Sequence, residues 1–275
     1  HGLGWPSFTQ SLAFKTNDNG VAYAVYAPNQ ATVSVDGGKE VTITEETNYP
    51  FSDTLRFVIS AKENASFPIY FRIPSWAKGA KAYVNGKSTG APQAGTYLRI
   101  DGEWANADEV ELIFPLELTL RRWPTNRNSA SINYGPLTLS LRINERYEKV
   151  NSAEMAIGDS RWQENADPQK WPTYEIYADS PWNYSLILPE SNPFADFKVT
   201  RLPWPADNQP FTLQGVPLEV KATARTIPTW GIDETGLTGV LPREDAPRSA
   251  EINEITLVPM GAARLRISSF PTSAK

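Results

Sequence analysis

The feature that most restricts this chain is a side-chain period of two that recurs along much of its length. It is sharpest where Val110, Leu112 and Phe114 face one way and Glu109 and Glu111 the other. Successive residues of a strand point to opposite faces, so the pattern belongs to half-buried antiparallel strands. Pro115 resets the register, after which Leu116, Leu118 and Leu120 alternate with Glu117, Thr119 and Arg121. The same period runs through residues 21–26, 32–35, 41–43, 55–59 and 69–73. Residues 82–84 end at Asn85-Gly86, a strong hairpin signal, with 97–100 as the expected partner. Strand signals return at 184–188, 197–200, 218–224, 255–258 and 265–267, while 144–183 and 227–250 carry no sustained period and are expected as connecting loops.

Composition agrees with many short strands joined by turns: Pro 23, Gly 17 and 11% aromatic residues. Two domains suit 275 residues, since domains usually run to about 100–150. One segment reads as a helix. Pro6 fits a first helical turn, and Trp5, Phe8 and Leu12 fall on one face before Asn17-Asp18-Asn19-Gly20 stops it. A short apolar helix ahead of strands has little of its own to pack on, so it is expected to be the last helix of a helical domain that precedes His1. His1 in place of Met, with no signal-peptide pattern after it, fits a cut point inside a longer polypeptide.

Several function classes are set aside. A net charge of -5 offers no cationic surface to a phosphate backbone, so no nucleic acid partner is expected. The longest apolar runs, such as 137–141, are of strand length, against about 20 residues for a helical membrane span, so no membrane partner is expected either. A cysteine count of zero removes disulfides, thiolate nucleophiles and Cys-ligated zinc together. His1 is the sole histidine, so a Ser-His-Asp triad or a multi-histidine metal site would have to be built around a chain terminus.

The run Phe71-Arg72-Ile73-Pro74-Ser75-Trp76-Ala77-Lys78-Gly79-Ala80, continuing to Val84-Asn85-Gly86, closely resembles the region after the catalytic barrel in glycoside hydrolase family 127 and its relative family 146. Tyr97-Leu98-Arg99-Ile100, Trp104, Asp108-Glu109-Val110-Glu111-Leu112 and Tyr134-Gly135-Pro136-Leu137 follow in the family's order. Trp182-Asn183-Tyr184 and Ile255-Thr256-Leu257-Val258-Pro259 resemble the tail of one branch. Two departures stand out: Tyr134 where the family usually has Arg, and Ala107-Asp108 where it has Gly-Asp.

The resemblance implies an all-β fold of two antiparallel, jelly-roll-like β-sandwiches, preceded by one short helix left from an (α/α)6 barrel. Residues 1–19 would be that remnant, 20–120 the first sandwich, completed by 251–271, and 121–250 the second sandwich with long loops. It further implies a bacterial parent enzyme that removes β-L-arabinofuranose with retention, using a cysteine nucleophile near zinc. The Cys-Cys pair would lie upstream of His1, so no catalytic residue is carried over and no cofactor is expected in this chain. The expected partners are the parent's own catalytic domain, arabinose-containing plant-type glycans and, as an alternative, a second copy of the chain. Export to a periplasmic or extracellular location follows from the same likeness.

Paired acids at Asp101 with Glu103, and at Glu109 with Glu111, satisfy the composition of a glycosidase site but read as solvated strand faces. Asn64-Ala65-Ser66 and Asn183-Tyr184-Ser185 match the N-glycosylation triplet by coincidence in a bacterial protein, and Arg121, Arg122 and Arg127 near Trp123 read as a solvated strand end. Among nine tryptophans, Trp76 and Trp104 lie inside the strand framework and are expected in the core. Trp162, Trp171, Trp182, Trp204 and Trp230 stand in loop-like surroundings, suited to a sugar platform or a domain interface. His1, Trp162, Trp171, Trp182 and Trp204 are the candidate substrate-binding residues; no catalytic or metal-ligating residue is expected.

Overall fold

The computed structural model describes residues 4–151, 167 and 169–273. Its only α-helix among these, α1 (Gly4–Gln10), has no buried residue. Trp5 and Phe8 meet edge to face at 6.3 Å and stay exposed. Leu12, expected on the same helical face, lies beyond the helix end and is buried. A helix of 7 residues is well under the roughly 12–15 that hold together alone in water. No helix among the described residues is long and apolar enough to cross a membrane.

The other described residues form strands, connections and two short 3-10 turns, Asp36–Gly38 and Met260–Ala262, and the chain divides into two compact units between Glu117 and Leu118. The first unit holds β1 (Ala13–Lys15), β2 (Val21–Tyr23), β3 (Asn29–Val35), β4 (Lys39–Glu46) and β5 (Thr54–Ala61). It continues with β6 (Ala65–Arg72), β7 (Lys81–Val84), β8 (Lys87–Ser88), β9 (Tyr97–Trp104) and β10 (Glu109–Ile113). These form a four-stranded sheet in the order β1-β2-β6-β9 and a six-stranded sheet in the order β3-β4-β5-β10-β7-β8. The faces meet through aromatic rings: Phe57 of the larger sheet packs at 4.8 Å against both Tyr23 and Phe71 of the smaller. Val110 and Leu112 are fully buried, as the alternation requires, while Glu109 turns outward to Arg56. Trp104 is buried and donates its indole N–H to the Phe67 carbonyl at 2.9 Å. Trp76 is half-buried, edge-on to Phe114.

The Asn85-Gly86 turn forms as read, but with a different partner strand. Both residues have positive φ, 48° and 74°, and the turn closes with Val84 opposite Lys87. A two-residue turn leaves no slack, so 87–88 is the strand it joins. Residues 97–104 instead run antiparallel to β6, with Ile100 opposite Ile69.

One inward position of this unit is polar. Val41, Ile43 and Glu45 share a face of β4, and Glu45 is only 2% exposed. Its Oε2 accepts a hydrogen bond from Asn29 Nδ2 at 2.6 Å, while Oε1 and the Tyr23 hydroxyl have no partner among the described residues. Burial pushes the Glu45 carboxyl up to about 8, against the hydrogen bonds from Ala27 and Asn29 that favour the anion. Burial, with Glu45 nearby, also raises Tyr23 and Tyr26.

The second unit holds β11 (Leu118–Trp123), β12 (Ser129–Tyr134), β13 (Leu137–Leu141), β14 (Glu145–Val150) and β15 (Thr173–Ala178). It ends with β16 (Tyr184–Ile187), β17 (Lys198–Arg201), β18 (Leu218–Thr226), β19 (Asn253–Pro259) and β20 (Thr272–Ser273). Eight of them make one sheet, β11-β12-β13-β19-β18-β16-β20, with β17 also on β18. The last residues tie its ends together. Phe270 bridges to Ala130 of β12, and Thr272 pairs with Leu186 of β16. Fully buried Leu139, Leu186, Val220, Leu257 and Phe270 form its core.

Three expectations change here. Residues 251–271 do not complete the first sandwich: β19 lies between β13 and β18, with Leu257 opposite both Leu141 and Val220. An apolar run such as 255–258 demands burial but is equally compatible with either unit's sheet. The stretch 265–267, expected as a strand, is irregular, though the Ile267 carbonyl accepts from Leu141 N at 2.8 Å. Within 144–183, expected as loop, β14 and β15 pair as a separate two-stranded ribbon. Most residues of this ribbon are partly or fully exposed on both faces, so no apolar alternation marks it.

Candidate functional site

A cavity of about 570 Å³ opens within the second unit, inside the roughly 300–1,000 Å³ typical of small-molecule sites. Its floor is aliphatic, from Ile143, Ile267 and Leu265. One wall is the end of β15, where Glu175 and Tyr177 point to one face and Ile176 to the other. A lip formed by Ile232, Glu234, Thr235, Gly236 and Thr238 also lines it, and Trp182 and Arg266 complete the lining.

The lip is held by local hydrogen bonds. Asp233 Oδ1 accepts from Thr235 N at 2.9 Å, Thr235 Oγ1 at 2.7 Å and Leu237 N at 3.0 Å, which keeps its carboxyl below the usual carboxylate range. Gly236, at φ 79°, makes the turn inside it. At the base, Gly239 N donates to the Gly231 carbonyl at 3.0 Å, and the buried Trp230 donates its indole N–H to the Gly239 carbonyl at 3.2 Å. Trp230 in turn meets Trp182 edge to face, with ring centroids 5.1 Å apart. A second hollow of about 440 Å³ shares Ala178, Trp182 and Ile232 with the first, so Trp182 stands where two cavities join.

The polar groups are few and differently held. Tyr177 donates its hydroxyl to Glu175, and the Arg146 guanidinium lies 4.9 Å from the Tyr177 ring centre. Arg266 donates Nε–H to the Ala263 carbonyl at 2.8 Å, which sets the direction of its guanidinium. Glu234, on the exposed lip, makes no hydrogen bond or ion pair among the described residues.

Of the candidates read from the sequence, Trp182 is the one the structure places at the cavity. Trp171 is 71% exposed ahead of β15, and Trp204 hydrogen-bonds Asn208 Oδ1 at 2.8 Å; neither lines either hollow. His1 and Trp162 lie outside the described residues. Sequence reasoning missed Glu175, Tyr177, Glu234 and Arg266. Only the two-residue spacing of Glu175 and Tyr177 hinted at a shared face.

The paired acids are engaged elsewhere. Asp101 accepts three hydrogen bonds from Arg99, 2.8 and 3.0 Å to its Oδ1 and 3.0 Å to its Oδ2, and this contact holds its carboxyl below the usual range. That is the wrong direction for a general acid. Glu109 is bound to Arg56. Glu45 has the raised pKa of a functional carboxyl, but it is buried in the first unit's packed core and lines neither hollow. Zinc does not fit these residues: the chain has no cysteine, and no group of three or more His, Cys, Asp or Glu among the described residues is placed to hold a metal.

The fold is therefore an all-β, sandwich-type region with one short helix. Residues 20–116 match the family described as "Beta-L-arabinofuranosidase, GH127 middle domain", so most of the first unit resembles a GH127 middle domain. Three solved structures share the fold. A GH127 beta-L-arabinofuranosidase from Geobacillus stearothermophilus superposes with a TM-score of 0.61 at 20% identity, over 98% of this chain and 36% of that one. A glycoside hydrolase gives 0.60 at 21% identity, and a GH127 beta-arabinofuranosidase 0.59 at 20%, each over 94% of this chain and 36% of the other. The chain thus spans about a third of the length of these structures. No curated protein sequence matches it.

Proposed function

We propose that these residues are the accessory, non-catalytic β-sandwich region of a β-L-arabinofuranosidase-like glycoside hydrolase. The observation that carries this reading is where the family match falls: residues 20–116 correspond to a middle domain. The absence of any thiol from the sequence and the pairing of Asp101 and Glu109 with arginines support it. The role is mechanical. A sandwich with a dense aromatic core offers a rigid support to a helical catalytic domain, which would contribute the nucleophile and zinc. On this reading that domain is the principal partner, arabinose-containing glycans are the substrate class, and the parent is an exported bacterial enzyme.

The test is hydrolysis of a chromogenic β-L-arabinofuranoside by the purified 275-residue chain, with and without added zinc. No turnover above the uncatalysed rate is expected in either case. Sustained turnover that scales with protein concentration would overturn the proposal.

A further inference from the structure

The cleft at Trp182 has a composition that selects among ligands. It combines an aliphatic floor, two aromatic side chains, two carboxylates and one guanidinium. Ring faces and aliphatic side chains suit a ligand whose body carries C–H groups. Carboxylates accept hydrogen bonds in pairs from neighbouring hydroxyls, and a guanidinium donates in pairs. A polyhydroxylated ring presents both kinds of surface at once.

Charge narrows the class. Glu175 and Glu234 outnumber Arg266, and the chain as a whole carries -5. A phosphate, sulfate or uronate would bring like charge into a net-negative cleft, where repulsion counts against it. A neutral ligand meets no such penalty.

The walls are also set before any ligand arrives. Trp230 braces Trp182 from a buried position and pins the base of the lip, and Asp233 fixes the lip's turn. Pre-ordering of this kind lowers the entropy lost on binding. Because Trp182 borders both hollows, a ligand longer than one ring can continue from the larger into the smaller across the same indole.

We infer that this cleft is a binding site for neutral saccharides, with Trp182 as the stacking platform, Glu234 and Glu175 as hydroxyl acceptors, and Arg266 as donor. The site does not depend on whether the chain hydrolyses anything, so the hydrolysis assay and a binding assay fail independently.

The experiment is isothermal titration of the full chain with L-arabinose, arabinotriose and D-galactose, with D-galacturonate as the charged control, while tryptophan fluorescence is followed in parallel. Saturable binding of at least one neutral sugar is expected near 1 mM, roughly the weak end of specific recognition, and none of the uronate. Trp182→Ala should weaken it by about tenfold or more, as truncation of an aromatic anchor does. Glu234→Gln should weaken it by roughly threefold to tenfold, since it removes one charge-assisted hydrogen bond. Glu234 has no hydrogen-bond or ion-pair partner among the described residues, so this variant breaks no contact there and decides the matter even if Trp182→Ala unfolds. Absence of saturation with every neutral sugar overturns the inference. So does an affinity that Glu234→Gln leaves unchanged, or preferential binding of the uronate.

Discussion

The two units differ in how much of their aromatic surface goes into the core. In the first, Tyr23, Tyr26, Phe57, Phe71, Trp104 and Phe114 are buried, and Phe57 touches Tyr23 and Phe71 across the facing sheets. In the second, Tyr147, Trp171, Tyr174, Tyr177, Trp204 and Phe211 are exposed by 37–71%. The second unit's sheet closes around mostly aliphatic residues instead. Aromatic side chains each remove about 150–250 Å² from water when buried, so the first unit is built for stability. Exposed rings do little for the fold and leave apolar surface available to a ligand or partner.

That contrast breaks most visibly on truncation. Phe57→Ala should destabilise the first unit by about 3–5 kcal/mol, because Phe57 is fully buried against Tyr23 and Phe71; denaturant titration reads it. Leu257→Ala should cost about 2–5 kcal/mol in the second unit, since it is fully buried between β13 and β18. A loss under about 1 kcal/mol there would mean that the second unit is loosely packed as well as loop-rich.

The buried carboxyl sharpens the comparison through pH. Glu45 holds its proton up to about 8 in the folded chain, against an ordinary value of 4.5. Between those values the folded state binds more protons than the unfolded one, so stability is full below the lower value and falls as pH rises through the upper. The slope is on the order of 1.4 kcal/mol per pH unit where the difference is one proton. Denaturation midpoints of the first unit between pH 5 and 8, taken as a roughly neutral window, should decline, and Glu45→Gln should flatten the decline. A wild-type midpoint constant across this window would show Glu45 ionised in the core.

Smaller effects follow at the buried Gly20 and the exposed Trp171. Gly20→Ala should cost roughly 1–3 kcal/mol, because a Cβ there would overlap the Pro68 carbonyl oxygen, backbone that cannot swing aside. Trp171→Ala should change stability by no more than about 0.5 kcal/mol, its ring being 71% exposed. A larger loss would place that indole in a contact the comparison denies it.

The period of two, the Asn85-Gly86 turn and the inward runs at 55–59 and 110–114 each specify local structure through neighbouring residues, and strands formed there. Even the buried acid was written in that pattern, since Glu45 continues the inward face of Val41 and Ile43. The ribbon of β14 and β15 was not, because most of its residues face solvent on both sides and leave no alternation to read.

Which strand lies beside which was decided only in three dimensions. Residues 97–104 were free to follow the hairpin turn but pair with β6, and β19 was free to join either unit but lies between β13 and β18. The cleft has the same character. Glu175 with Trp182, Glu234 and Arg266 come from three segments far apart in sequence and line one cavity only where β15, the lip and the segment after β19 meet. The physical reason is range. Alternation, turn angles and burial demand act over a few residues, whereas sheet order and a cleft arise from contacts between segments far apart in sequence, each compatible with several partners until the whole fold selects one.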